Sequence, residues 1–190
     1  VLIHTGDFSY TGNVRETEDF LKWLKDLPFK DIVFIEGNHD WLGSREPSKF
    51  TDLYIKHYRE GIHHLRNSSC TIDGIKFYGS PVSPWFYDWA WNVHRGNPIK
   101  AVWDKIPDDT NILLTHGPVY EILDKTKRGE EVGCADLANS IQNLKELKVH
   151  QSGHIHESYG EQTVNGVKYI NACVLNERYQ IQNKPIEFEL

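Results

Sequence analysis

The sequence predicts an α/β fold of two stacked β-sheets with helices outside, and three kinds of observation predict it. Short apolar runs (Val1-Leu2-Ile3, Ile32-Val33-Phe34-Ile35 and Ile112-Leu113-Leu114) lead into glycine-containing polar clusters, as buried strands do. Two longer segments carry apolar residues at helical spacing. Two Asx-Gly dipeptides, Asp73-Gly74 and Asn165-Gly166, supply the positive φ angles of tight hairpins. Helices alternate with strands early, and hairpins come in the middle and at the end, which suits helix-covered stacked sheets.

Taken in order, the first strand runs from Val1 into Gly6-Asp7. Arg15 to Leu27 follows as an amphipathic helix, with Phe20, Leu24 and Leu27 on one face and Pro28 ending it. Ile32 to Ile35 is a buried strand running into Gly37-Asn38-His39-Asp40. Phe50 to Glu60 is predicted helical, and Thr71 to Lys76 forms a hairpin. Ile112 to Leu114 leads into Thr115-His116-Gly117-Pro118, and Ala135 to Leu147 reads as a second amphipathic helix. Val149 to Ser152, more polar than the other strands, leads into Gly153-His154-Ile155-His156. Lys168 to Val174 and Ile186 to Leu190 close the chain as strands. At 190 residues, with no repeat, low-complexity tract or linker, residues 1–190 are expected to form one domain.

A formal net charge of −6 argues against a dedicated nucleic-acid surface. No apolar run reaches the ~18 residues of a membrane span. Cys70, Cys134 and Cys173 are odd in number and lack C-x-x-C spacing, so they read as reduced thiols in a cytoplasmic protein. No G-x-S-x-G element, Walker A loop or dinucleotide glycine fingerprint is present.

The four polar clusters, each following a strand, hold two carboxylates, one carboxamide and four imidazoles. Such donors suit Mn²⁺, Fe or Zn²⁺ better than a thiolate redox centre. With Pro84-Trp85-Phe86, Arg95-Gly96 and Val132-Gly133-Cys134, they make the chain resemble the calcineurin-like metallophosphoesterases. The nearest resemblance is to the small metallophosphoesterase-domain proteins related to class III cyclic-nucleotide phosphodiesterases. That resemblance spans nearly the whole chain and implies a four-layer α/β/β/α sandwich with two mixed β-sheets. The family's first block, D-x-H, has no counterpart before Gly6-Asp7. The expectation is therefore an N-terminally truncated domain, lacking its first strand and part of its first metal site.

The resemblance further implies two divalent metals, with Asp7 bridging, His156 on the first, and Asn38, His116 and His154 on the second. Two cations ~3.5–4 Å apart can clamp the attacking and leaving oxygens of a phosphoryl displacement, and a metal-bridging hydroxide is the implied nucleophile. Gly153 and its loop are expected to bend the backbone so that His154 and His156 can face one centre. His39 is expected to reach the scissile phosphate, with Asp40 holding its imidazole. The implied substrates are small phosphodiesters, cyclic nucleotides among them, or phosphomonoesters. The aromatic run containing Trp85, Phe86 and Trp89 reads either as a substrate wall or as core or dimer-interface packing, so a homodimer stays open. Arg95 reads either as a phosphate contact or as solvated surface, and His4 as a satisfied core or supporting residue. A reading from another class is a catalytically retired phosphoesterase fold serving as a binding scaffold.

Overall fold

The computed structural model describes all residues, 1–190. Its first sheet orders β1 (Leu2–Thr5), β2 (Ile32–Ile35) and β3 (Ile62–His64), all parallel. Helices α1 (Val14–Asp26), α2 (Trp41–Arg45) and α3 (Pro47–His57) make the crossovers between these strands. The second sheet takes strands from the rest of the chain: β4 (Ser68–Ile72), β5 (Ile75–Ser80), β8 (Ile112–Thr115), β9 (Val149–Ser152), β10 (Gly160–Val164) and β11 (Val167–Asn171). Their spatial order is β10-β11-β9-β8-β5-β4. Its centre is parallel, and an antiparallel hairpin closes each edge. A two-stranded ribbon, β6 (Ser83–Pro84) with β7 (Asn92–Val93), lies between β5 and β8 in the chain, and helices α4 (Asn97–Trp103) and α5 (Ala135–Ile141) complete the elements.

The layers follow from side-chain alternation along each strand. On β2, Ile32 and Phe34 join Phe20, Leu21, Leu24 and Phe50 under the first helical layer. Val33 and Ile35 point the other way and meet Phe77, Ile112, Leu114, Val149 and Ile170 of the second sheet. Leu113 faces Ile99, Trp103 and Leu137 under the far helices. The result is the expected α/β/β/α sandwich, and fully buried β2 explains its unbroken apolar run. One expectation is corrected: only the larger sheet is mixed, because helical crossovers join every strand of the smaller one.

Local chemistry sets the element ends. Asn13 caps α1, its side chain accepting from the Glu16 N–H in a capping box. Both hairpin turns carry positive φ at both central residues: 48° and 83° at Asp73-Gly74, 50° and 81° at Asn165-Gly166. Helix α5 stops at Ile141, short of its expected end at Leu147. Hydrogen bonds from Leu144 to Ile141 and from Leu147 to Leu144 then tighten the backbone, so both leucines still reach the core. Residues 186–190 form no strand; Ile186 and Phe188 pack on the inter-sheet core without a ladder partner. The last strand likewise ends at Asn171, not Val174.

Strand β9 is fully buried despite its polar sequence, and His150 and Ser152 find partners for their side chains. Thr115 Oγ1 donates to the Gly117 carbonyl at 2.7 Å, so His150 Nε2 must donate to Thr115 Oγ1, also at 2.7 Å. Burial pushes the His150 imidazole down to about 3. The unfolded chain therefore binds a proton near pH 6.5 that the folded chain refuses until about pH 3. Stability is full above pH 6.5 and falls as pH drops through that window, by up to about 1.4 kcal/mol per pH unit from this group. His150→Gln is expected to flatten the slope, read by urea denaturation between about pH 4 and pH 7. An unchanged slope would contradict the assignment.

Candidate metal centre

The clusters after β1, β2, β8 and β9 meet at the carboxyl ends of strands from both sheets. Two hydrogen bonds bind this rim together: His116 Nδ1 to the Thr5 carbonyl at 2.8 Å, and the Gly153 N–H to the His116 carbonyl at 2.9 Å. Gly6 and Gly37 let the two loops touch. Gly6 has φ 96°, and a Cβ there would lie 2.5 Å from the Gly37 nitrogen. A Cβ on Gly37 would strike Asp7 Oδ1 and the His116 ring. Asp7 and His154 take left-handed φ angles themselves, 57° and 68°. The expected bend in Gly153 and its loop falls at His154, while Gly153 itself is not left-handed.

Ligand atoms of Asp7, His116 and His154 all lie within 4.8 Å of one another. Asn38 Oδ1 lies 2.8 Å from His116 Nε2, and Asp7 Oδ2 3.2 Å from the same nitrogen. His116 is fully buried and its Nδ1–H is committed to Thr5, so Nε2 looks directly at two oxygens. Burial favours neutral His116, but the Asp7 charge and hydrogen bond outweigh it and raise the pKa. Burial alone would raise Asp7, yet His116, then His154 and His39, hold its carboxyl well below the usual range. Burial, with His116 adding, pushes His154 down to about 3, so it stands neutral with a lone pair available. One carboxylate, one carboxamide oxygen and two imidazoles thus fit a divalent cation, which would take the place of the Nε2 proton that those two oxygens now accept.

Residues 1–158 match the family model described as calcineurin-like phosphoesterase. The chain belongs to this family. It is 36% identical over 210 residues to metallophosphoesterase domain-containing protein 1 of Homo sapiens, covering all of this chain and 64% of that protein. A UPF0046 protein of Caenorhabditis elegans is 31% identical over 214 residues, with all of this chain and 54% of the relative covered. The chain thus spans somewhat less than two thirds of the length of these relatives. The crystal structure of TT1561 of Thermus thermophilus superposes with a TM-score of 0.58 over 90% of this chain and 74% of that one. At 16% identity it shows a shared fold alone. Family membership gives the general class, metal-dependent phosphoesterases. No helix is long and apolar enough to cross a membrane.

Around this calcineurin-like cluster stand the other residues singled out from sequence. His156 lies outside the 4.8 Å group; its Nδ1 lies 2.8 Å from the Asn176 carbonyl, which leaves Nε2 open. His39 repeats that arrangement, with Nδ1 2.9 Å from the Tyr10 carbonyl. Its backbone N–H donates to Asp7 Oδ1 at 2.9 Å. Asp40 does not hold the His39 imidazole, a correction to the expectation. Its buried carboxylate accepts from the Asp7 and Gly37 N–H groups at 2.8 and 2.7 Å. It also accepts from the Ser9 N–H and hydroxyl at 3.1 and 2.6 Å. Burial, with the negative Asp7 adding, pushes its carboxyl up to about 8 against the pull of Ser9 and Gly37.

Arg95 is corrected too: its guanidinium donates to the Gly133 and Val132 carbonyls, both at 2.7 Å, and so pins a loop. Trp85 turns its Nε1–H to Asp88 and packs near His94. Phe86 lies against His154, with ring centroids 5.2 Å apart. Trp89 packs on His39 at 4.6 Å. His4 accepts the Gly6 N–H through Nδ1, in keeping with a supporting role. Sequence reasoning misses Tyr10, Tyr179 and Ser9. Ser9, two residues beyond Asp7, could be sought as a partner for a buried acid, but nothing in the sequence marks Tyr179.

Proposed function

We propose that the chain is an active phosphoesterase. In this reading one divalent cation is held by Asp7, Asn38, His116 and His154, and a second shares Asp7 and draws on His156. The observation that carries the reading is the convergence of four donors of three kinds, one from each strand-end cluster: Asp7, Asn38, His116 and His154. Divalent cations held by these residues would supply Lewis acidity toward phosphoryl oxygens and a hydroxide source near neutral pH. Asp7 is the ligand suited to bridging, since a carboxylate has two oxygens to offer. Asn38 contributes a neutral oxygen and keeps the site from becoming too negative. His39, oriented by the Tyr10 carbonyl, offers Nε2 to a substrate oxygen, to stabilise charge or protonate the leaving group. Asp40 ties the loops carrying Asp7 and Gly37 together and so positions Asp7.

What favours an enzyme over a retired scaffold is the state of three imidazoles. His39, His116 and His156 each have Nδ1 against a backbone carbonyl, which leaves Nε2 open at His39 and His156 and, at His116, turns it on the Asp7 and Asn38 oxygens. A scaffold has no use for three rings so oriented. The substrates in this reading are small phosphodiesters or phosphomonoesters, Mn²⁺, Fe or Zn²⁺ are the candidate metals, and three unpaired thiols support a cytoplasmic setting.

His39→Ala tests the assignment, because it keeps the backbone N–H to Asp7. Turnover of a chromogenic phosphodiester is expected to fall by about 10²–10⁴-fold, with Mn²⁺ affinity unchanged. Unchanged turnover would remove His39 from the mechanism.

A further inference from the structure

Two tyrosines stand over the His39 imidazole with their rings largely in solvent. Tyr10 lies in the loop between β1 and α1, and Tyr179 in the loop after β11; they are 64% and 50% exposed. Their rings meet edge to face, with centroids 5.5 Å apart. Each centroid is 6.0 Å from His39, Tyr10 roughly parallel to it and Tyr179 edge-on. Tyr179 also stands edge-on to His156 at 5.5 Å. One residue thus touches imidazoles delivered by opposite sheets.

The position of Tyr179 is built. Its backbone φ is 58°, and its N–H donates to the Asn176 carbonyl at 2.8 Å, the same oxygen that faces His156 Nδ1. Asn176 Oδ1 accepts from the Arg178 and Gln180 N–H groups at 2.9 and 3.1 Å, closing the loop. A half-exposed ring gains little from burial, so core packing does not account for two open tyrosine rings held around His39.

We propose that Tyr10 and Tyr179 are specificity-determining residues, which receive a flat aromatic ring on the alcohol part of the phosphoester while the phosphate lies at the metal-ligand cluster. The inference rests on the phosphoesterase reading and adds the preference for an aromatic over an alkyl ester group. Open tyrosine faces stack well on flat rings and gain less from small alkyl groups.

The test uses phenylphosphonate and methylphosphonate, whose P–C bonds resist hydrolysis, titrated calorimetrically into the protein in excess Mn²⁺. The unsubstituted protein is expected to bind phenylphosphonate about tenfold more tightly. Tyr179→Phe should keep that preference, because it keeps the ring. Tyr179→Ala and Tyr10→Ala should each cut it to under about threefold while leaving methylphosphonate affinity unchanged. Equal binding of the two ligands by the unsubstituted protein, or a preference surviving both alanine variants, would overturn the assignment and leave the phosphoesterase reading standing. Failure of both ligands to bind would overturn that reading and this one together.

Discussion

Asp7→Ala is expected to abolish the response of the protein to divalent cations. A cation at about 100 times its dissociation constant stabilises the state that binds it by about 2.7 kcal/mol. For a chain of this size that is a rise in Tm of about 5–11 °C. Asp7 sits where His116 and His154 converge, and its two oxygens face different partners: Oδ2 the His116 ring, Oδ1 the His39 N–H. Losing an outer-sphere partner of a metal ligand alone costs about 10–100-fold in affinity or activity, so losing this ligand should cost at least about 100-fold. Differential scanning fluorimetry with and without Mn²⁺ reads the effect. A full shift in the variant would mean that cations bind elsewhere.

Asp40→Ala is expected to act on stability instead, in the absence of any cation. Removing the carboxylate strands the Asp7, Ser9 and Gly37 backbone N–H groups and takes the nearer of the Ser9 hydroxyl's two acceptors. Each unsatisfied buried donor costs about 1 kcal/mol or more, so the loss should reach about 3–5 kcal/mol. That corresponds to a fall in Tm of about 6–20 °C, measurable by urea or thermal unfolding of the cation-free protein. Asp40→Asn keeps one acceptor oxygen but turns N–H toward other donors, and should recover only part of the loss. A variant as stable as its parent would contradict the role given to Asp40.

The two substitutions separate what the sequence reveals from what it hides. Asp7, Asn38, His116 and His154 are legible because each sits in a glycine-marked cluster directly after a strand, and parallel strands deliver such clusters to one rim. The helical layers are legible from the spacing of their apolar residues. Asp40 is legible as important but not in its role: adjacency to His39 suggests a partner, while the folded loops turn its carboxylate toward Asp7, Gly37 and Ser9. Arg95 misleads for a similar reason, since two backbone carbonyls occupy its guanidinium and the sequence cannot show where carbonyls end up. The polar strand β9 is the least legible of the strands that carry the site. Its pattern makes sense only once His150 and Thr115 are seen to pair across the sheet. Tyr179 reaches the site through a loop whose path depends on Asn176 and on its own left-handed backbone, neither of which has a local signature.

The most direct test of the account starts from protein stripped of metal by chelation and measures hydrolysis of a chromogenic phosphodiester as Mn²⁺ is added. The account predicts turnover that appears with the cation, disappears on renewed chelation, and is absent from Asp7→Ala under the same conditions. A folded, Mn²⁺-binding protein that hydrolyses neither the diester nor its monoester counterpart would contradict it.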